Sequence, residues 1–332
     1  MSKDKTEKKS QYNAKPFVKW VGGKRQLLKQ FERLYPADLK TKKIINYYEP
    51  FVGGGAVFFG VAQNYEINNA YLYDINEELI LTYKVIQRNV EKLVEFLSRY
   101  DGLYKKLSEK DRKRFFYEVR QSYNLQRFNI DYNRYSDDWI PRAAQTIFLN
   151  RTCYNGLFRF NSKGEFNSPA GKYKNPRILD EQNLVNVSKL LEIATIKRAD
   201  FSEIKKDIKE DSFVYFDPPY RPISKTAGFT SYSKFAFQDN EQIRLANLFY
   251  ELDEQGHKLM LSNSDPKNTN SEDDFFEILY KKYYITRVDA KRSINSDGSK
   301  RNLIKEIVVT NYPVCSTDTS SFDQNIPSTS SP

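Results

Sequence analysis

Two cysteines in 332 residues, Cys153 and Cys315, and a single histidine, His257, leave little for several common chemistries. Cysteines so far apart, with no CxxC pair and no Cys/His cluster, exclude a disulfide framework and a zinc-finger site. Histidine-dependent catalysis would have to run through His257 alone, which precedes the apolar run KLMLS and is expected to cap a turn. No apolar run approaches the roughly 18 residues that a membrane span needs. The start, MSKDKTEKKSQYNAK, has no apolar stretch behind it and cannot serve as a secretory signal. The chain is therefore expected in the cytoplasm, with no membrane among its partners.

Aromatic and basic residues are abundant: 24 Tyr and 23 Phe accompany a net charge of +10. The charge is concentrated. Residues 1–33 carry ten Lys or Arg against three acids, and residues 142–177 carry seven against Glu165 alone, so the remainder is slightly acidic. Basic segments interleaved with flat side chains suit a polyanion, because Lys and Arg neutralise phosphates while aromatic rings stack on bases.

The pattern along the chain predicts one α/β sheet interrupted by a helical module. IINYYEPFVGGG reads as a strand entering a glycine turn, AVFFGVAQ as a short helix and AYLYDIN as a second strand. Long charged helical stretches follow from residue 77. Strands return at IATIKRADF, FVYFDPPY, KLMLSNSD, YYITRVD and IKEIVVTN, with a helix over 239–255 closed by Gly256. The last two strands can pair as an antiparallel hairpin. The expected division is a disordered tail over 1–13, a discontinuous sheet domain over 14–76 and 179–312, an insertion over 77–178, and a disordered tail over 313–332. The sheet is mostly parallel, with an antiparallel edge.

Three features carry chemistry. Gly53, Gly54 and Gly55 follow a strand and open a helix, which lets a ligand approach the backbone at the carboxyl edge of the sheet. Asp74 lies 19 residues further on at the end of the second strand, where an acid commonly accepts hydrogen bonds from ribose. The glycines do not form GxGxxG, and neither they nor Gly22-Gly23-Lys24-Arg25 form GxxxxGK[ST], so an adenosine cofactor without phosphates fits better than a nicotinamide cofactor or ATP. Asp217-Pro218-Pro219-Tyr220 ends the strand FVYF. Two prolines force the chain out of the ladder in a rigid turn that fixes two acceptors, the Asp217 carboxylate and the Pro218 carbonyl. An exocyclic amine can donate to both, and Tyr220 offers a face on which a flipped base stacks.

These residues resemble the DNA adenine-N6 methyltransferases of the Dam group, including the DpnM-type modification enzymes. The likeness runs from residue 15 to 312 through PFVKWVGGK, EPFVGGG, YDIN, NRTCYNGLFRFNSKGEFNSPAGKYKNP, RADF, FVYFDPPY, LSNSD and EIVVTN, in the alpha order of motifs. The resemblance implies a Rossmann-like fold dependent on S-adenosylmethionine, with a helical DNA-recognition insertion that carries a β-hairpin. It implies that Trp20 and Lys24 hold the methionine portion of the cofactor above Gly53–Gly55, that Asp74 holds the ribose, and that Asp200 and Phe201 contact the adenine ring. Asp217 to Tyr220 would bind the flipped target adenine beside the methylsulfonium. Lys19, Tyr154, Asn155, Leu157, Arg159 and Pro169 correspond to DNA contacts, Arg159 reading a guanine through O6 and N7. The implied target is GATC in duplex DNA, with no metal required and a separate cognate restriction endonuclease as the conceivable protein partner. The chain departs from many relatives in having Ala before Asp200, and in the divergent stretch SINSDGSKRN. Methylation of cytosine N4 and a non-catalytic DNA-binding regulator on the same fold remain as alternatives at this point. A Rossmann oxidoreductase lacks its glycine fingerprint here.

Overall fold

The computed structural model describes residues 12–221, 237–291, 303–314 and 324–325. The expectations placed on residues 1–11, on SINSDGSKRN, on Cys315 and on most of the carboxyl-terminal tail fall outside the described residues. The strands are β1 (Asn46–Glu49), β2 (Asn69–Asp74), β3 (Ala194–Arg198), β4 (Ser212–Phe216), β5 (Lys258–Ser264), β6 (Tyr284–Lys291), β7 (Leu303–Thr310) and β8 (Gln324–Asn325). The helices are α1 (Leu28–Phe31), α2 (Ala37–Lys40), α3 (Ala56–Asn64), α4 (Glu77–Lys106), α5 (Glu109–Gln126), α6 (Trp139–Thr152), α7 (Glu181–Leu191), α8 (Ile204–Asp207), α9 (Asp239–Glu254) and α10 (Phe275–Leu279).

All eight strands form one sheet in the order β3-β2-β1-β4-β5-β7-β6-β8. The first five are parallel, β7 runs antiparallel between β5 and β6, and β6 and β7 form the expected hairpin. Gln324–Asn325, within the stretch expected to be disordered, pair with the outer edge of β6, whose backbone groups are otherwise open to another strand. The strands could be recognised in the sequence because both faces are buried and successive side chains alternate between them. Tyr47, Leu72, Phe213 and Tyr215 enter one core, with α3, α4, α6 and α7, while Tyr48, Tyr71, Tyr73, Val214 and Phe216 enter the other, with α9 and α10. The order reverses between β1 and β4, so the crevice for a ligand opens outside the carboxyl ends of those two strands. Gly256, at φ +85°, ends α9 with its N–H bonded to the Asp253 carbonyl, and His257 is buried in the turn that follows.

The helical segment is joined to the sheet without a break in the core. Asn76 caps α4, its side chain accepting from the N–H groups of Glu78 and Leu79 at 3.1 Å. The helix is interrupted at Asn89, where φ is −145° and ψ 49°. Both of its arms pack on α6: Glu78 pairs with Arg142, while the rings of Tyr100 and Tyr104 meet Phe148 at 5.1 and 5.8 Å. Glu78 and Tyr100 would stand roughly 33 Å apart on a straight helix, far more than separates their partners on α6, so the break at Asn89 folds one arm toward the other.

Arg142 is 1% exposed and is the electrostatic centre of this segment. Its Nε donates to Glu78 Oε2 at 3.0 Å, its terminal nitrogens donate to Glu78 Oε1 and the Tyr123 carbonyl, and Tyr132 donates to Glu78 Oε1 at 2.6 Å. Removing one partner strands the other charge in the core. Arg142→Ala is expected to lower unfolding free energy by about 3–5 kcal/mol in denaturant titration, and the double change Glu78→Leu/Arg142→Met to lose less than that.

Candidate active site

The carboxyl ends of the parallel strands bring most of the sequence-selected residues together. Gly53–Gly55 follow β1, Asp74 ends β2, and Asp217–Tyr220 follow β4. Gly53 and Gly55 have φ of +46° and +72°. A Cβ on Gly53 would lie 2.8 Å from Trp20 Cδ1 and Nε1, and one on Gly55 would lie 2.5 Å from the Tyr83 hydroxyl, which itself donates to the Gly53 carbonyl at 3.0 Å. The turn is thus pressed between Trp20 and Tyr83 with no room for a side chain. Asp74 tightens it from below, accepting from Gly53 N–H at 3.0 Å and Asn76 N–H at 2.9 Å. Burial pushes the Asp74 carboxyl up to about 6, with those N–H groups opposing.

Lys24 stands at the centre, 2% exposed in a short 3-10 turn, Lys24–Gln26. Its Nζ lies 2.6 Å from Asp217 Oδ1 and 3.6 Å from Glu306 Oε2, and donates to the Tyr220 hydroxyl at 2.8 Å and the Gly22 carbonyl at 3.1 Å. It also lies 4.7 Å from the centre of the Tyr220 ring. Although burial opposes its charge, the Asp217 carboxylate, Tyr220 and Glu306 hold the ammonium above its ordinary range. Burial raises Asp217 to about 6 against the pull of Lys24, with Glu306 adding to the rise. Glu49, 2% exposed at the end of β1, is likewise pushed well up by burial, and accepts from Tyr47 at 2.7 Å. Two carboxyl groups, those of Asp217 and Glu306, therefore face one ammonium, with the Glu49 carboxyl within electrostatic reach.

The exit of the double-proline turn is clamped. Gln242 on α9 donates to the Pro219 carbonyl at 3.2 Å, and Arg221 binds Asp239 through two nitrogens and Asp273 through a third. Pro218 is buried, and among the described residues nothing donates to its carbonyl. Phe201 is buried against Phe51, which follows β1, at 5.3 Å. Asp200 is gripped by both terminal nitrogens of Arg244 at 2.7 and 2.9 Å, which hold its carboxyl well below the usual carboxylate range.

The sequence-selected DNA contacts gather around the amino-terminal motif and the hairpin. Asn150, fully buried on α6, accepts from Lys19 N–H at 2.7 Å and donates to the carbonyls of Lys19 at 2.8 Å and Gly156 at 3.3 Å, fastening the amino-terminal motif to the hairpin region. Tyr154 N–H bonds the Pro169 carbonyl at 2.9 Å. The hairpin is a narrow ribbon bridged at Cys153–Ala170 and Phe160–Phe166 rather than two regular strands. Tyr154, Asn155, Arg159 and Pro169 are exposed and Leu157 half-buried. Arg159 is steadied by Nε donating to Asn167 at 2.9 Å, while among the described residues its terminal nitrogens have no partner. Lys19 Nζ stacks 4.0 Å over Tyr173. Trp20 lies between this group and the glycine turn, its ring 6.4 Å from that of Phe158.

Sequence reasoning left Ser262, Tyr215, Glu49, Glu306, Gln242 and Arg244 without roles. The only available clue was polar or acidic residues within otherwise apolar strands, as in LSNSD and EIVVTN. Gly55→Ala is expected to cost about 2–4 kcal/mol of stability, from left-handed strain and collision with Tyr83. Gly60→Ala on α3 meets its nearest neighbour, Leu28, only at 3.4 Å and should be tolerated; melting temperatures of the two variants compare them.

Comparison with known proteins extends the likeness over most of the chain. Residues 20–294 match the family model described as D12 class N6 adenine-specific DNA methyltransferase. The chain is 50% identical over 299 residues to the type II methyltransferase M.MjaIII of Methanocaldococcus jannaschii, covering 90% of this chain and 99% of that protein. It is 38% identical over 306 residues to M1.LlaDCHI of Lactococcus lactis, covering 92% and 98%. It is 31% identical over 297 residues to the DNA adenine methylase of Escherichia coli K12, covering 90% and 95%. With its sheet order, its glycine turn and a family match spanning most of its length, the chain belongs to the D12 class of N6 adenine-specific DNA methyltransferases.

Proposed function

We propose that the methyl donor is S-adenosylmethionine, that the acceptor is N6 of an adenine turned out of duplex DNA, and that the target sequence is GATC. The observation that carries the reading is the pairing of β1 with β4 at the sheet's reversal point, which sets Asp217–Tyr220, held on Lys24, beside the glycine turn that follows β1. The donor fits this ground. The turn has no Cβ at its closest points, and two carboxyl groups, Asp217 and Glu306, facing one ammonium favour a cationic, phosphate-free ligand. Bound there, S-adenosylmethionine would supply a methyl group on a positively charged sulfur, whose bond to that carbon breaks as the amine nitrogen takes it. Trp20, Lys24 and Gly53–Gly55 would hold its methionine portion, Asp74 its ribose, and Asp200 and Phe201 its adenine.

The chain's own contribution is geometry. Asp217 and the Pro218 carbonyl accept the two amine N–H groups, Tyr220 stacks on the base, and Asp217 takes the proton that the nitrogen sheds. Adenine N6 is a weak nucleophile because its lone pair is delocalised into the ring, so fixed acceptors and proximity carry most of the acceleration. Residues 77–178 would read the DNA, with Lys19, Tyr154, Asn155, Leu157 and Pro169 along the target and Arg159 on a guanine.

Purified protein incubated with unmodified duplex DNA and S-adenosylmethionine, followed by mapping of modified bases, should give N6-methyladenine at GATC. Methylation in another context would reject the target sequence alone. Asp217→Ala is expected to slow transfer by roughly a thousandfold while DNA affinity changes little. Asp217 can take up the proton, and offer both oxygens as acceptors, only when ionised. The wild-type single-turnover rate should therefore fall as pH drops through about 6, whereas protonation of Asp74 over the same range should raise the cofactor KM.

A further inference from the structure

The two oxygens of Asp217 are not equivalent. Lys24 Nζ at 2.6 Å and Ser262 Oγ at 3.3 Å both engage Oδ1, and among the described residues nothing bonds Oδ2. Ser262 lies on β5, beside β4, and is fully buried. Its Oγ is 2.7 Å from the hydroxyl of Tyr215, which is also fully buried and two residues before Asp217 on the same face of the chain. Each hydroxyl has one proton to give. Since Ser262 spends its proton on Asp217, Tyr215 must donate to Ser262, and the chain of bonds runs in one direction, from Tyr215 through Ser262 to Oδ1.

A carboxylate can turn about its terminal bond unless donors fix it. We propose that Ser262 and Tyr215 are positioning residues for methyl transfer, pinning Oδ1 from beneath so that Oδ2 faces the amine. The inference rests on the assignment of Asp217 as amine acceptor. The hydroxyl pair also stabilises the ionised carboxylate, alongside Lys24 and against the negative charge of Glu306 on β7, with Tyr220 and the Glu49 carboxyl, which burial pushes toward its neutral form, as the remaining titratable neighbours. Losing the Ser262 bond therefore moves the acid limb of the reaction to higher pH.

Single-turnover methylation of unmodified duplex DNA by the full chain tests this, with S-adenosylmethionine saturating and pH varied. Ser262→Ala is expected to slow transfer about tenfold, shift the acid limb upward, and leave the KM values for cofactor and DNA within about twofold. Ser262→Thr keeps the hydroxyl and should recover most of the rate, and Tyr215→Phe should lose about threefold. A Ser262→Ala rate within twofold of wild type at every pH overturns the proposal. So does a loss that Ser262→Thr fails to restore and that tracks a lower melting temperature. An active Asp217→Ala overturns both this proposal and the assignment beneath it, whereas an inactive Asp217→Ala beside an unaffected Ser262→Ala removes only the positioning role.

Discussion

A lysine ammonium buried to 2% exposure is the constraint on which this architecture turns. Lys24 has left water, so it must be surrounded by acceptors and opposite charge: beside the nearby Gly22 carbonyl these come from distant parts of the chain, Asp217 after β4, Tyr220 beyond the prolines and, as an ion pair at 3.6 Å, Glu306 on β7. Satisfying one charge therefore draws the amino-terminal motif, the double-proline turn and the antiparallel hairpin to a single point. Trp20, four residues before Lys24, is carried to the glycine turn by the same docking, and its indole occupies the space that a side chain on Gly53 would fill.

The cluster is also unbalanced. Asp217 and Glu306 outnumber Lys24, while burial pushes the nearby Glu49 toward its neutral form. An arrangement of this kind welcomes a further positive charge and repels phosphate, which agrees with the missing phosphate-binding fingerprints around Gly22 and Gly53. Asp200, by contrast, has its negative charge already matched by Arg244.

The strands were legible because a sheet covered on both faces has nearly continuous apolar segments, as in FVYF and KLML. Asp74 and Asp217 were legible because turns at strand ends have local rules for glycine and proline. What escaped depends on neighbours supplied by topology. Ser262 and Glu306 gain meaning only when β5 is laid beside β4 and β7 beside β5, and nothing within LSNSD or EIVVTN announces that pairing. The fold in α4 at Asn89 was equally hidden, since the residues around it keep a helical pattern and the reason to bend lies on α6. The hairpin was legible as a turn but not in its extent: Arg159 to Asn167 pair across a single bridge, held as much by the packing of Phe158, Phe160 and Phe166 as by the backbone ladder.

Trp20 has a further consequence. One edge of its indole bounds the glycine turn and its ring also packs toward Phe158 at the root of the hairpin, so one side chain forms part of the wall of both regions. Two ligands that lean on a common wall are thermodynamically linked. Whatever factor one adds to the affinity of the other must be returned unchanged, because the free energy of the doubly occupied state does not depend on the order of arrival. In this molecule that reciprocity would pass through Trp20 together with the Asn150 bonds that tie Lys19 to Gly156.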